Sequence, residues 1–299
     1  MSSQTEIRHE IGAHGMLLLR GVSGSINLIG GDGTEAVVLA RSSRGGEPDL
    51  SVERRAGSLL VEPQRSGFAF IRGQDTEIDF SVTLPRGARV DVKSVSADIN
   101  SGGLRGEQEY KTVSGDLRLR ESAGRVTILT VSGDIRLERA GQVELSAATT
   151  SGDLAVEAES LELLRVRTVS GDVRLTGRLS GGPRHTVETV SGDLTFRSTG
   201  GVTVEPSRAL DIGRNSRRAV VIGDGRATLS FRSMSGEERV TGPAAPQEEP
   251  MTSQMPIATA PTRSDASVDA RLDVLRALER GEIDIEEAAR RLEEVVVDA

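Results

Sequence analysis

One short segment, Val-Ser-Gly-Asp followed by alternating aliphatic residues, recurs through the middle of the chain at a nearly constant interval. Its aspartates are separated by steps of 18, 18, 19, 19 and 21 residues. They are Asp98, Asp116, Asp134, Asp153, Asp172 and Asp193. Self-similarity at such a period is typical of a repeat architecture in which each unit stacks on the next.

Each repeat contains two runs of alternating apolar residues with opposite phase. In the run after Gly115, the apolar residues Leu117 and Leu119 are odd-numbered, as is Val113. In the run before the next glycine of the series, the apolar residues Val126 and Ile128 are even-numbered. Strand alternation would turn both sets of aliphatic residues inward if the chain bends between the two runs. We therefore predict a corner at each Thr-Val-Ser-Gly-Asp, with positive φ at its glycine.

Stacked coils of this length predict an all-β parallel solenoid with 18- to 21-residue turns, in which equivalent residues lie above one another about 4.8 Å apart. Aromatic residues make up only 2% of the chain, so small aliphatic side chains must fill the core. An antiparallel β-sandwich is the alternative, although it does not explain why the corner recurs.

The repeats divide the 299-residue chain into regions. Residues 1–90 are expected to form an N-terminal β region and cap, continuous with a repeat solenoid at 91–240. Within the first region, Val22–Leu28 reads as an imperfect repeat. The glycine clusters at 30–33 and 223–225 are interpreted as hairpin turns.

The C-terminal part has a different composition and a different period. Residues 241–266 are rich in proline and predict a disordered linker. At 267–299 the apolar spacing becomes helical, with Gly281 ending one helix and Asp284 beginning a second. A helical hairpin this small buries little surface alone, which favours a role in self-association or in binding a protein partner.

Composition argues against several other classes of protein. The chain has no cysteine, which is compatible with a reducing compartment, and a net charge of -8, which disfavours nucleic acid as a partner. The N-terminal apolar run is too short for a secretory signal, and no stretch is long enough to span a bilayer. We expect a soluble, cytoplasmic protein.

No set of residues predicts catalysis, so we expect no enzyme, no cofactor, no catalytic or metal-binding residue and no small-molecule substrate. The repeated serines cannot each have a base, because the chain has three histidines. The aspartates are interpreted as caps of the turns; a column of carboxylates could also bind a cation such as Ca²⁺. A pair of phenylalanines, Phe68 and Phe70, is interpreted as core, with an exposed contact patch as the alternative.

Two stretches resemble known families. The segment VTLPRGARVDVKSVSADI at 82–99, together with the serial SGD units, resembles the bacterial DUF4097 family of β-strand repeat proteins, for which adhesin is an inherited label. The resemblance implies a solenoid-like fold without established enzymatic activity. The end of the chain, RLDVLRALERGEIDIEEAARRLEEV at 271–295, is similar to SHOCT-like helical domains, which implies oligomerisation or partner contact.

These observations favour a non-enzymatic scaffold or interaction protein whose C-terminal hairpin mediates oligomerisation or partner recruitment. A ligand- or cation-binding sensor in the bacterial cell-envelope stress response is one alternative. A filament-forming solenoid is another.

Overall fold

The computed structural model describes residues 4–43, 46–64, 77–205 and 219–242. The chain divides into two units, Met1–Gln247 and Glu248–Ala299, and every described residue belongs to the first. The proposed linker beyond residue 242, the C-terminal hairpin and the Phe68–Phe70 pair lie outside the described residues. In the described ranges all regular elements are strands, which confirms the all-β solenoid.

The first ten strands build the N-terminal part of the solenoid. They are β1 (Gln4–Glu10), β2 (Met16–Arg20), β3 (Ser23–Gly31), β4 (Glu35–Ser42), β5 (Leu50–Arg55), β6 (Ser58–Pro63), β7 (Ile78–Pro85), β8 (Arg89–Lys93), β9 (Ser96–Gly102) and β10 (Gln108–Thr112).

The remaining eleven strands complete the body. They are β11 (Leu117–Arg120), β12 (Gly124–Thr130), β13 (Ile135–Ser151), β14 (Leu154–Ser170), β15 (Val173–Leu179), β16 (Arg184–Ser191), β17 (Leu194–Ser198), β18 (Val202–Glu205), β19 (Val220–Ile222), β20 (Ala227–Ser235) and β21 (Glu238–Thr241).

The strands form two stacks that face each other across the core. The stack after the corners runs β1-β4-β7-β3-β9-β11-β13-β14-β15-β17-β21. The stack before the corners runs β5-β6-β2-β8-β10-β12-β13-β14-β16-β20-β18-β19. From β7 to β21, and from β6 to β18, every neighbouring pair is parallel, which excludes the antiparallel sandwich.

The imperfect repeat at Val22–Leu28 is confirmed as a rung of the solenoid, because β3 pairs in parallel register with β9 and aligns Ser25 with Asp98. Its rung lies between the β6–β7 rung and the β8–β9 rung, so the stacking order departs from chain order. Antiparallel strands close both ends: β1, β4 and β5 at one, β19 at the other.

Two expectations about turns are wrong. The 30–33 cluster joins β3 to β4, yet both of these strands pair with β7 rather than with each other. The 223–225 cluster likewise joins β19 to β20, which are not paired. In two repeats the chain also bends at the edge opposite the Ser-Gly-Asp corners without a separate turn, because β13 and β14 each run for 17 residues and have register shifts near Ala140 and Ser160.

The core between the stacks is a thin layer of aliphatic side chains. Leu117, Leu119, Val126 and Ile128 of one repeat are all at most 1% exposed. Tyr110 is the largest fully buried side chain, and its hydroxyl donates to Ser101 Oγ at 2.8 Å. Burial raises the pKa of that phenol. Because equivalent side chains of neighbouring rungs lie above one another, each inward residue packs against the equivalent residue of the next rung.

Candidate functional site

The Ser-Gly-Asp corners are the most regular feature of the molecule. The glycines at 115, 133, 152, 171 and 192 have φ between 117° and 152°, as the bend predicts. A Cβ added to Gly133 would overlap the carbonyl oxygen of Gly115, and one added to Gly152 would overlap that of Gly133. The glycines therefore form a single file, each turn lying against the preceding one too closely for a side chain.

The aspartates connect successive corners through backbone hydrogen bonds. The N–H of each donates to Oδ1 of the aspartate one rung earlier, at 2.9–3.1 Å, for the pairs 116 to 98, 134 to 116, 153 to 134, 172 to 153 and 193 to 172. Glu237 continues the series by donating its N–H to Asp193 Oδ1 at 2.8 Å. Each carboxylate thus caps an amide that the parallel ladder leaves unpaired.

Arginine side chains screen part of this column of carboxylates. Arg174 bridges Asp153 at 2.8 Å and Asp172 at 3.0 Å, and Arg136 contacts Asp134 at 2.9 Å. The Arg174 guanidinium, followed by the Asp172 amide, holds the pKa of Asp153 below its ordinary value. These groups are substantially exposed, so each ion pair contributes little to stability, and the backbone caps matter more.

The threonine and serine of the corner have structural positions. The buried threonine hydroxyl donates to the serine carbonyl two residues later, at 2.8–3.2 Å, in the pairs Thr112–Ser114, Thr130–Ser132, Thr149–Ser151 and Thr168–Ser170. In the described ranges no histidine hydrogen-bonds to a repeat serine. His9 contacts the Arg55 carbonyl, and His185 is buried in another part of the fold.

The valine of the corner lies on the surface, contrary to the parity argument that grouped Val113 with Leu117 and Leu119. Val113 is 51% exposed, whereas the two leucines are at most 1% exposed. Val113 keeps the outward phase of the strand before it, in which Tyr110 and Thr112 are buried, and the inward phase restarts at Leu117 after the corner. The equivalent positions form an exposed file that we name the valine ridge: Val22, Val95, Val113, Val131, Thr150, Val169, Val190 and Met234.

The opposite edge of the solenoid holds residues that occur only once. His185 is fully buried: the Leu164 amide donates to its Nδ1 at 3.2 Å, and its Nε2 lies 2.8 Å from the Ser180 carbonyl. Burial lowers the pKa of His185, so the neutral ring with the proton on Nε2 fits both contacts. Beside it, Glu162 accepts hydrogen bonds from Ser180 and Ser160, which lower the pKa of Glu162.

Sites for metal ions or nucleic acid gain no support from the described residues. Within them, no cluster of three or more His, Asp or Glu side chains is suited to hold a metal ion. Arg118, Arg136 and Arg174 align on one face, but Ala155 and Thr195 interrupt the column as the sequence indicated. In the same part of the chain no helix has the length and hydrophobicity to cross a membrane.

Solved structures are similar to this chain at low sequence identity. A candidate adhesin from Bacteroides fragilis is 11% identical, with a TM-score of 0.50 over 80% of this chain and 97% of that one. A candidate adhesin from Parabacteroides distasonis is 12% identical over 81% and 95%, with a TM-score of 0.29. A candidate lipid-binding protein from the same species is 10% identical over 79% and 96%, with a TM-score of 0.28.

The family assignment depends on the repeat region. A search of curated proteins gave no match. The family model described as Toastrack DUF4097 matches residues 65–222, which is more than half of the chain and includes all six repeat aspartates. The likeness to the Bacteroides fragilis structure concerns the fold alone and agrees with this match. The chain therefore belongs to the Toastrack DUF4097 family.

Proposed function

We propose that the protein is a non-enzymatic scaffold: a rigid β-solenoid that presents repeated surfaces, joined through residues 241–266 to a helical hairpin at 267–299 that mediates self-association or partner recruitment. The proposal rests on the observation that the repeated residues serve to stabilise the fold. The aspartate carboxylates accept backbone N–H groups of the next rung, and the threonine hydroxyls donate to the serine carbonyls. These structural roles account for the repeated residues without a catalytic role.

The relatives support an interaction role in general terms. The Bacteroides fragilis structure that shares this fold is of a candidate adhesin, a label that favours interaction with another molecule. The hairpin's part is inferred from its sequence alone, where Leu272, Leu275 and Leu278 share one helical face. We also propose that the protein works in the cytoplasm, a reducing compartment with which a chain lacking cysteine is compatible.

Light scattering after size-exclusion chromatography tests the role of the hairpin. We compare the full chain with a chain lacking residues 265–299 and with the double variant Leu272→Lys/Leu275→Lys. Both changes are expected to lower the assembly mass. Asp273→Lys, on the opposite helical face, is the matched control and is expected to leave the mass unchanged. An unaltered mass in the deletion would contradict the proposed tail role.

A groove at the N-terminal end favours a second candidate function, a ligand-binding sensor. It has a volume of about 620 Å³, and Arg20 and Lys93 line it beside Val22, Val95 and Pro63. Glu62 also lines the groove and Arg20 is already paired with Asp91, so Lys93 beside the apolar groups is the residue that would hold a small amphiphilic anion. Equilibrium binding of a fatty-acid probe, compared between the wild-type protein and Lys93→Glu, tests this; equal binding by both would argue against the groove.

A further inference from the structure

The valine ridge is an exposed apolar file that Thr150 alone interrupts among its eight positions, and the fold does not require apolar side chains there. Its six valines are 38–51% exposed and Met234 is 75% exposed. Thr150 occupies the same position in one rung, so a polar side chain of equal shape fits there. Threonine has a similar strand propensity, and propensity alone therefore does not account for valine. Isolated exposed valines are ordinary, but a file of them marks an interaction surface.

The two sides of the ridge carry opposite charge. On one side lies the aspartate column, in which Asp98, Asp116 and Asp193 have no ion pair within the described residues. On the other side lies an outward column that we name the basic flank, which Leu129, Ala148 and Glu188 interrupt. Its residues, aligned rung by rung, are Arg20, Lys93, Lys111, Leu129, Ala148, Arg167, Glu188 and Arg232. Four of its five basic residues already pair with acidic groups of the same chain, namely Arg20 with Asp91, Lys111 with Glu109, and Arg167 and Arg232 with Glu188, whereas Lys93 has no ion pair within the described residues.

We propose that a second copy of this chain docks ridge against ridge, with the two-fold axis parallel to the solenoid axis. That rotation exchanges the two sides of the ridge, so the basic flank of each copy faces the aspartate column of the other. Lys93 then faces Asp98 of the second copy, and Lys111 faces Asp116. A two-fold axis perpendicular to the solenoid would instead set aspartates against aspartates.

The dimensions of the ridge fit such a dimer. Eight rungs spaced about 4.8 Å apart make a strip about 34 Å long. With its flanks the strip is about 15 Å wide, because residues two apart on a strand are separated by about 6.6 Å. Each copy would bury roughly 500 Å², and the pair about 1,000 Å², the lower bound for a specific interface. We therefore expect a weak dimer that dissociates on dilution. The equal rung spacing of the two copies keeps their valines in register.

The first test separates this interface from the proposed hairpin contact. In a full chain carrying Leu272→Lys/Leu275→Lys, sedimentation equilibrium is expected to detect a monomer–dimer equilibrium. Adding Val113→Lys/Val131→Lys/Val169→Lys should raise the dimer Kd at least about tenfold. The matched control, Thr127→Lys/Ser146→Lys/Thr195→Lys, adds equal charge away from the ridge and should leave the Kd unchanged. Circular dichroism confirms that both triple variants are folded.

Failure of the ridge proposal is distinguishable from failure of the hairpin proposal. A chain that stays monomeric with an intact ridge, or a dimer unaffected by the three lysines, overturns the ridge interface whatever the hairpin variants do. If the hairpin variants alone have no effect while the ridge variants dissociate the dimer, the ridge stands and the hairpin role fails.

The second test addresses orientation and uses the absence of cysteine from the chain. Val95→Cys lies in the second rung of the ridge and Val190→Cys in the seventh. A two-fold axis along the solenoid predicts that the Val95→Cys variant alone forms a disulfide between position 95 of one copy and position 95 of the other. The perpendicular arrangement predicts that only a mixture of the two variants forms the linked dimer, and this result would overturn the proposed geometry.

Discussion

The two edges of the solenoid turn the chain in different ways. At the Ser-Gly-Asp edge, the corners at Gly115, Gly133, Gly152, Gly171 and Gly192 share one conformation, because each glycine lies against the carbonyl of the equivalent residue below and each aspartate caps the amide above. At the opposite edge the turns differ in length, and β13 and β14 pass through it without a break. One edge enforces the register, and the other accommodates variation and unique residues such as His185.

The largest effect is expected from a side chain in the glycine file. Gly133→Ala would place a Cβ against the Gly115 carbonyl oxygen and strain a φ of 117°. We expect the free energy of unfolding to fall by about 3 kcal/mol or more. Gly141→Ala, on the opposite edge, would meet only Ala123 Cβ at 3.7 Å and should be near neutral. Denaturant titration measures both, and equal losses would remove the distinction between the edges.

A smaller effect is expected from the aspartate caps. Asp134→Ala leaves the Asp153 amide without its acceptor and should cost about 1–2 kcal/mol. Asp134→Asn keeps a side-chain oxygen for that bond and should cost less. Glu121→Ala removes only an exposed ion pair with Arg139 and should cost less than about 0.5 kcal/mol. Urea unfolding ranks the three; an Asn variant as unstable as the Ala variant would contradict the capping role.

The variable edge should make stability depend on pH. His185 has a lowered pKa in the folded state because it is buried, so the unfolded chain binds its proton more readily. The stability that the neutral imidazole contributes is fully present above the pKa of histidine in the unfolded chain, about 6.5, and it declines as the pH falls below that value. Asp153 and Glu162, whose folded pKa values are also lowered, lose their contributions only below about pH 4.

Thermal melting from pH 7 to pH 5 isolates the histidine. We expect the melting temperature of the wild-type protein to drop by a few degrees over this interval. His185→Gln should be less stable at pH 7 but show a flatter pH profile. A wild-type profile that does not change between pH 7 and pH 5 would argue against a buried neutral imidazole.

The smallest expected effect is that of calcium. Each repeat aspartate already accepts a backbone amide through Oδ1, and Arg174 and Arg136 balance part of the charge. Millimolar Ca²⁺ should therefore leave the melting temperature unchanged. A clear rise that Asp134→Asn abolishes would show that the aspartate edge binds cations.

The repeat sequence predicted most of the regular edge. Asp98 to Asp193 recur at nearly equal steps, and stacking makes every equivalent residue a neighbour, so the parallel ladder and the file of glycines follow from spacing alone. The exposure of Val113 did not follow, because parity was counted from Val113 to Leu117 across a corner at which the alternation restarts. The ridge was consequently missed, although the repeated valine next to the glycine was visible.

The ends and the variable edge were less predictable for a different reason. The position of β2 and β3 between rungs that come later in the sequence depends on long-range pairing, which no local pattern encodes. Likewise, Ala140 and Ser160 do not indicate that the strands continue through the bend. The burial of His185 depends on amide and carbonyl partners supplied by other segments.

Spin-label distances along the serines of the regular edge test the stacked register most directly. With one nitroxide at Ser96 and the second at Ser170, Ser191 or Ser235, the labels are four, five and six rungs apart. Pulsed electron paramagnetic resonance should give distances of about 19, 24 and 29 Å, a constant increment of about 4.8 Å per rung. Distances that do not increase by a constant step would contradict the stacked solenoid.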